Sequence, residues 1–190
     1  MKKLTILLAS FLLIACHEAN ADKKGYFYGI KFDHKNSIGG TDANTFGVDY
    51  GKHVYDWLDV KISTNFTDKE GRSKGNSRRL ELGPKFKHKL NQDWSSSFYL
   101  ATGQKFVKDD DFGYWVMTPG IKYKINQDWS IGSSVRFRNS YDTSREQRDK
   151  TYAIKLDTKL FQDYTLSTRY RMKRGDSEYN AIGIGLKYEF

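Results

Sequence analysis

The chain has 190 residues, a formal charge of +9 and a mean hydropathy of −0.73. No apolar run approaches the ~20 residues of a membrane-spanning helix, and Cys16, the single cysteine, excludes a disulfide framework and a cysteine-based metal site. Against that polar average stand 13 Tyr, 12 Phe and 4 Trp.

Met1-Lys2-Lys3 is a short basic region, Leu4 to Ala15 is an apolar run, and Ala19-Asn20-Ala21 is an A-x-A cleavage site, so residues 1–21 read as a secretory signal. Leu13-Ile14-Ala15-Cys16 also fits a lipobox, in which Cys16 would be lipidated and begin the mature chain. Cleavage after Ala21 leaves residues 22–190 as one domain with a charge of +8, because Lys2, Lys3 and Glu18 depart.

The mature chain then alternates between period-two stretches and polar segments. At 80–90, Leu80, Leu82, Pro84, Phe86, His88 and Leu90 share one face, and Glu81, Gly83, Lys85, Lys87 and Lys89 share the other. The same holds at 115–125, where Trp115, Met117, Pro119, Ile121, Tyr123 and Ile125 oppose Val116, Thr118, Gly120, Lys122 and Lys124. At 152–160, Tyr152, Ile154, Leu156 and Leu160 oppose Ala153, Lys155, Asp157 and Lys159. Pro84 and Pro119 each stand nine residues before an aspartate, and each predicts a bulge or a lost ladder hydrogen bond.

Those aspartates belong to a repeat. KHVYDW at 52–57, KLNQDW at 89–94, KINQDW at 124–129 and KLFQDY at 159–164 place Asp56, Asp93, Asp128 and Asp163 at intervals of 37, 35 and 35 residues. Each copy reads as a strand end, a turn of about three residues and a new strand opening on an interfacial aromatic. Longer polar segments intervene at 35–44, 68–77, 108–111, 142–150 and 173–177. Four turns and five loops predict ten strands, near 25–35, 45–54, 57–67, 78–90, 94–106, 113–125, 129–141, 150–160, 164–172 and 178–190, with eight or twelve as alternatives. The last strand alternates Ile182, Ile184, Leu186, Tyr188 and Phe190 with Gly183, Gly185, Lys187 and Glu189, and it ends on Phe190. A leader, alternation, short turns and a terminal aromatic strand predict an all-β, up-and-down antiparallel barrel of the bacterial outer membrane, with both termini in the periplasm.

Lipid excludes charge from the outer face, so parity sends the basic residues inward. Toward the outer mouth these are Arg79, Lys105, Arg136, Arg138, Arg169 and Arg171. Toward the periplasm they are Lys85, Lys87, Lys89, Lys122, Lys124, Lys155, Lys159 and Lys187, with Lys31 and Lys61 completing sixteen cations. Only Asp33, Asp49, Asp59, Glu81, Asp157 and Glu189 face them, leaving the lumen near +10. Unmatched cations in a narrow space require water and anions, so the lumen is expected to be an anion-selective channel. A packed lumen occluded by the cationic stems is the alternative.

The stretches TPGIKYKINQDWSIGSSVRFR, LFQDYTLSTRYRMKRG and GIGLKYEF resemble the oligogalacturonate-specific porin family of the KdgM type, mainly in the C-terminal half. The resemblance implies a narrow monomeric outer-membrane porin with a basic lumen for acidic oligosaccharides. It implies lumen roles for Arg136, Arg138, Arg169 and Arg171, which stand in its R-[FY]-R strand ends. The family has twelve strands, two more than this sequence predicts.

Other classes find less support. An outer-membrane enzyme would have to use His34 beside Asp33, with Asp109, Asp110 and Asp111 near, because His53 and His88 fall at the periplasmic end. We expect no catalytic residues, no resident metal and no cofactor. A structural or adhesin-type barrel would carry longer, aromatic-rich loops and a balanced interior. Nucleic acid is not an expected partner, since the basic residues alternate inward. The expected partners are small acidic solutes, outer-membrane lipid and lipopolysaccharide, and the barrel assembly machinery.

Overall fold

The computed structural model describes residues 25–38, 41–69, 75–107, 111–142, 148–175 and 178–190. Within them lie ten strands: β1 (Tyr26–Ser37), β2 (Ala43–Tyr55), β3 (Leu58–Lys69), β4 (Ser77–Lys89), β5 (Trp94–Val107), β6 (Phe112–Lys124), β7 (Trp129–Ser140), β8 (Arg148–Phe161), β9 (Tyr164–Gly175) and β10 (Tyr179–Glu189). Every strand pairs antiparallel with its neighbours in the chain, and β10 returns to β1, so the sheet closes into a barrel without edges. Every strand end falls within three residues of its expected position. The leader expected at 1–21, with Cys16, lies outside the described residues, as do Asp109 and Asp110.

Alternation dictates an inside-out molecule. Ile182 is 66% exposed and Leu82 50%, because their face is the one that meets lipid, whereas Asp33 is 1% exposed inside. Five of the buried apolar residues, Tyr99, Ala101, Phe112, Tyr114 and Val116, form a small cluster on the inner wall of β5 and β6, while Phe27, Ala43 and Ala181 are buried apart from it. Closure rests on the chain ends, where Tyr26 and Phe190 exchange two backbone hydrogen bonds of 2.9 Å.

The pairing registers shift by twelve residues on one circuit of the barrel. For ten strands this offset sets a tilt of about 42° and a backbone radius of about 10 Å, within the usual link between strand number, shear and tilt. Extended Lys and Arg side chains reach most of the way to such an axis, so their pairing decides where the lumen is open.

The four repeats divide into two kinds of turn. In the two Asn copies, Asn91 Oδ1 accepts from the backbone N–H of Asp93 (3.0 Å) and Trp94 (2.8 Å), and Asn126 Oδ1 accepts from Asp128 (2.9 Å) and Trp129 (2.8 Å). An Asn side chain that mimics a backbone carbonyl stabilises this tight loop. Val54 and Phe161 occupy the equivalent place in the other copies, and those hairpins turn on 56–57 and 162–163 with a register shift beside the turn. Trp57 is therefore a turn residue and does not open β3 as expected. It still stacks at the turn end, with Tyr55 at 5.5 Å and Phe86 at 6.2 Å, and the pairs Trp94–Tyr123 (4.8 Å) and Tyr164–Tyr188 (4.7 Å) continue the aromatic girdle.

Each proline interrupts a ladder without a bulge. Pairing between β4 and β5 lapses from Leu82↔Thr102 to Lys85↔Tyr99, and pairing between β6 and β7 lapses from Met117↔Phe137 to Gly120↔Ser134, with the register unchanged. The bulges occur beside the Asn-less turns, at His53/Tyr55 and Lys159/Phe161.

Candidate functional site

The barrel holds a cavity of about 880 Å³ that runs from the loop end to the level of Lys85, Ser97, Thr118, Ser134 and Lys155. Thirteen basic residues line it, against the three acids Asp49, Asp149 and Glu178. Eight expected site residues are among them: Arg79, Lys85, Lys105, Arg136, Arg138, Lys155, Arg169 and Arg171. Lys31 and Lys61, also expected inward, join them. Lys35, Lys69 and Lys173 line the cavity as well and were missed, as was Asp149. Lys69, Lys173 and Asp149 stand at strand ends that the sequence reading gave to loops, so extending the parity by one or two residues would have found them, and Lys35 is the last residue of the expected first strand.

The arginines of the R-[FY]-R strand ends are held by carboxylates. Asp33 Oδ1 accepts from Arg169 Nε at 2.7 Å and its Oδ2 from Arg169 Nη2 at 2.9 Å, a bidentate pair across β1 and β9. Arg171 Nη2 lies 2.8 Å from the same Oδ2, an ion pair off the hydrogen-bonding direction. Gly183, between these strands, leaves the room, since a Cβ there would strike the Asp33 carboxylate and stand 2.9 Å from Arg169 Nε. Arg136 Nη2 donates to Glu81 Oε1 at 2.6 Å, and Tyr114 Oη donates to the same oxygen at 2.9 Å. Arg138 pairs with Asp149, whose other oxygen lies 2.7 Å from Lys173 Nζ.

Lys87, Lys122, Lys124 and Lys187 are not among the lining residues. Lys87 Nζ is 2.6 Å from Asp59 Oδ1, which also meets His53 Nδ1 at 2.6 Å, and Lys187 pairs with Glu189. Asp157 lies 2.8 Å from Lys155 and 3.4 Å from Lys122. Among these pairs the buried Phe27 ring sits 5.1 Å from the His53 ring, with Lys187 Nζ 4.6 Å from its centroid. Gly51 opposite makes space for that ring, because a Cβ there would overlap it. Lys89 and Lys159 fall at this same end, beside the turns.

The geometry does not bring the enzyme candidates together. His34 faces outward and its Nδ1 meets Asn44 Oδ1 at 2.9 Å, while Asp33 points into the lumen toward the two arginines. Asp111 Oδ1 accepts from the Val107 N–H at 2.9 Å and lies apart from His34. Among the described residues no cluster of three His, Cys, Asp or Glu could hold a metal.

No family model matches the chain, and no curated protein matches it. Solved structures do. An outer membrane channel from Pseudomonas putida F1 aligns over 89% of this chain and 96% of that one, with 7% identity and a TM-score of 0.57. The translocator domain of the autotransporter NalP from Neisseria meningitidis covers 98% and 96%, at 8% identity and a TM-score of 0.52. The NanC porin covers 86% and 100%, at 12% identity and a TM-score of 0.50. These likenesses show the fold: the chain is a ten-stranded barrel of the bacterial outer-membrane type. The KdgM porin also matches, at 15% identity and a TM-score of 0.44, so the KdgM type is not singled out among porins, channels and translocators.

Proposed function

We propose that this barrel is an anion-selective channel of the outer membrane for passive uptake of acidic solutes, acidic oligosaccharides among them. The carrying observation is the imbalance of the cavity wall, thirteen basic residues to three acids. Asp33 and Glu81 behind the arginines reduce that excess and leave Arg79, Lys85 and Lys105 without a carboxylate partner among the described residues. A ring of cations around a water-filled lumen lowers the energy of anions there and raises that of cations. In this reading the loops face the exterior, the turns and both termini face the periplasm, and a monomer suffices.

The test is the reversal potential of the purified protein in planar bilayers under a KCl gradient. Anion selectivity is the expected result, and cation selectivity would overturn the proposal. Phe27 and the paired charges at the turn end favour a second reading, a structural or adhesin-type barrel with an occluded lumen. That reading expects no conductance in the same bilayers.

A further inference from the structure

Five cations occupy one ring near the loop end, each two residues in from the end of its strand: Lys35 on β1, Arg79 on β4, Lys105 on β5, Arg138 on β7 and Lys173 on β9. Arg138 and Lys173 share Asp149. The other three form no ion pair with a carboxylate among the described residues. Lys35, only 6% exposed, finds the Thr67 hydroxyl at 3.5 Å, and Lys105 Nζ stands 5.1 Å from the centroid of the Phe112 ring. Arg79 and Lys105 are direct cross-strand partners with both side chains turned inward. Like charges so placed destabilise a strand pair, and a buried ammonium without a counter-ion costs more. Arg79, Lys35, Lys105 and Arg138, from four strands, line the same cavity, with the Glu81 and Asp33 carboxylates farther down the wall.

We propose that Arg79 and Lys105, with Lys35 completing the arc, form a binding seat for a divalent oxyanion at the loop mouth of the lumen. This deepens the channel reading by naming where its solute is first held, and it rests on that reading for its biological use. A guanidinium offers a planar fork to two oxygens, the Lys105 ammonium acts as a point charge beside it, and Lys35 adds a further N–H donor. A phosphate or sulfate group, or two carboxylates on one small molecule, supplies both the oxygens and the second negative charge. Chloride supplies neither. The seat also differs from the R-[FY]-R arginines, whose guanidinium groups already carry Asp33, Glu81 and Asp149.

Titration calorimetry on the folded, detergent-solubilised protein tests the seat without requiring conductance. At fixed ionic strength, sulfate and succinate are titrated in turn, with chloride as the comparison. Saturable sulfate binding is expected, weakened at least about tenfold in Arg79→Gln and again in the double variant with Lys105→Gln, since each removes a charge-assisted contact. Lys124→Gln at the turn end should bind as the parent does. Tight sulfate with weak succinate assigns the seat to a compact oxyanion group, and the reverse assigns it to paired carboxylates. Sulfate and succinate both binding no tighter than chloride in the parent protein would overturn the proposal even if a variant failed to fold, as would unchanged affinity in a folded double variant. Binding without conductance would leave the seat and remove the channel, whereas anion-selective current without saturable binding would do the opposite.

Discussion

At the loop end of the lumen, Lys35, Arg79 and Lys105 border an open cavity, whereas at the turn end Lys87, His53 and Lys187 are drawn onto Asp59 and Glu189 around the ring of Phe27. The same alternation of basic residues builds both halves. What differs is the position of the acids. Asp59 and Glu189 stand within reach of every cation around Phe27, so those stems gather onto the carboxylates beside the ring. Near the loops, Asp33, Glu81 and Asp149 hold the arginines against the wall and leave the axis clear. The two halves therefore differ in where their few carboxylates sit, more than in their total charge.

That comparison can be broken from either side. The largest effect is expected for Asp33→Asn, which removes a buried carboxylate and leaves the half-buried Arg169 and Arg171 without it. Loss of one member of a buried ion pair typically costs about 3–5 kcal/mol, which urea unfolding of the folded barrel in detergent should show as a lower midpoint at unchanged slope. Phe27→Ala attacks the closed half. Removing the ring should cost about 2–3 kcal/mol, because the site is bordered by charged, partly hydrated groups, and should raise single-channel conductance if this ring limits the path. Unchanged conductance in a folded variant would place the constriction elsewhere. The smallest effect is expected for Asn91→Ala or Asn126→Ala, each losing two hydrogen bonds at an exposed turn. A cost of about 1–2 kcal/mol with selectivity unaltered would separate the scaffold of the turn end from the chemistry of the lumen.

The sequence carried the strands, the turns and the inward face, because all three follow from periods of two and about 35 residues that any single stretch displays. It also carried the division of the turns, in the Asn91 and Asn126 that Val54 and Phe161 replace. Which cations are free was not legible. Arg169 reaches Asp33 across 136 residues of chain, and Arg136 reaches Glu81 across 55, through neighbours that only closure of the barrel provides. Arg136, Arg138, Arg169 and Arg171 were therefore grouped with Arg79 as lumen cations, although their carboxylates set them apart. The cation ring was incomplete for a simpler reason, since Lys35 and Lys173 lie where polar loop composition begins and alternation still persists.

The twelve-residue offset has a further consequence for the proposed path through the lumen. Successive cross-strand partners climb the wall, and one such row runs from Ser97 near the turns through Gly120, Ser134, Ala153 and Arg171 to Ala181 near the loops. Apart from Arg171 these side chains are small, so the row is a shallow screw thread on the inner wall, with Lys155 on the row to one side and Arg136 on the other. A flexible chain can take up that pitch as it advances. A stiff rod of the same width must cross the thread.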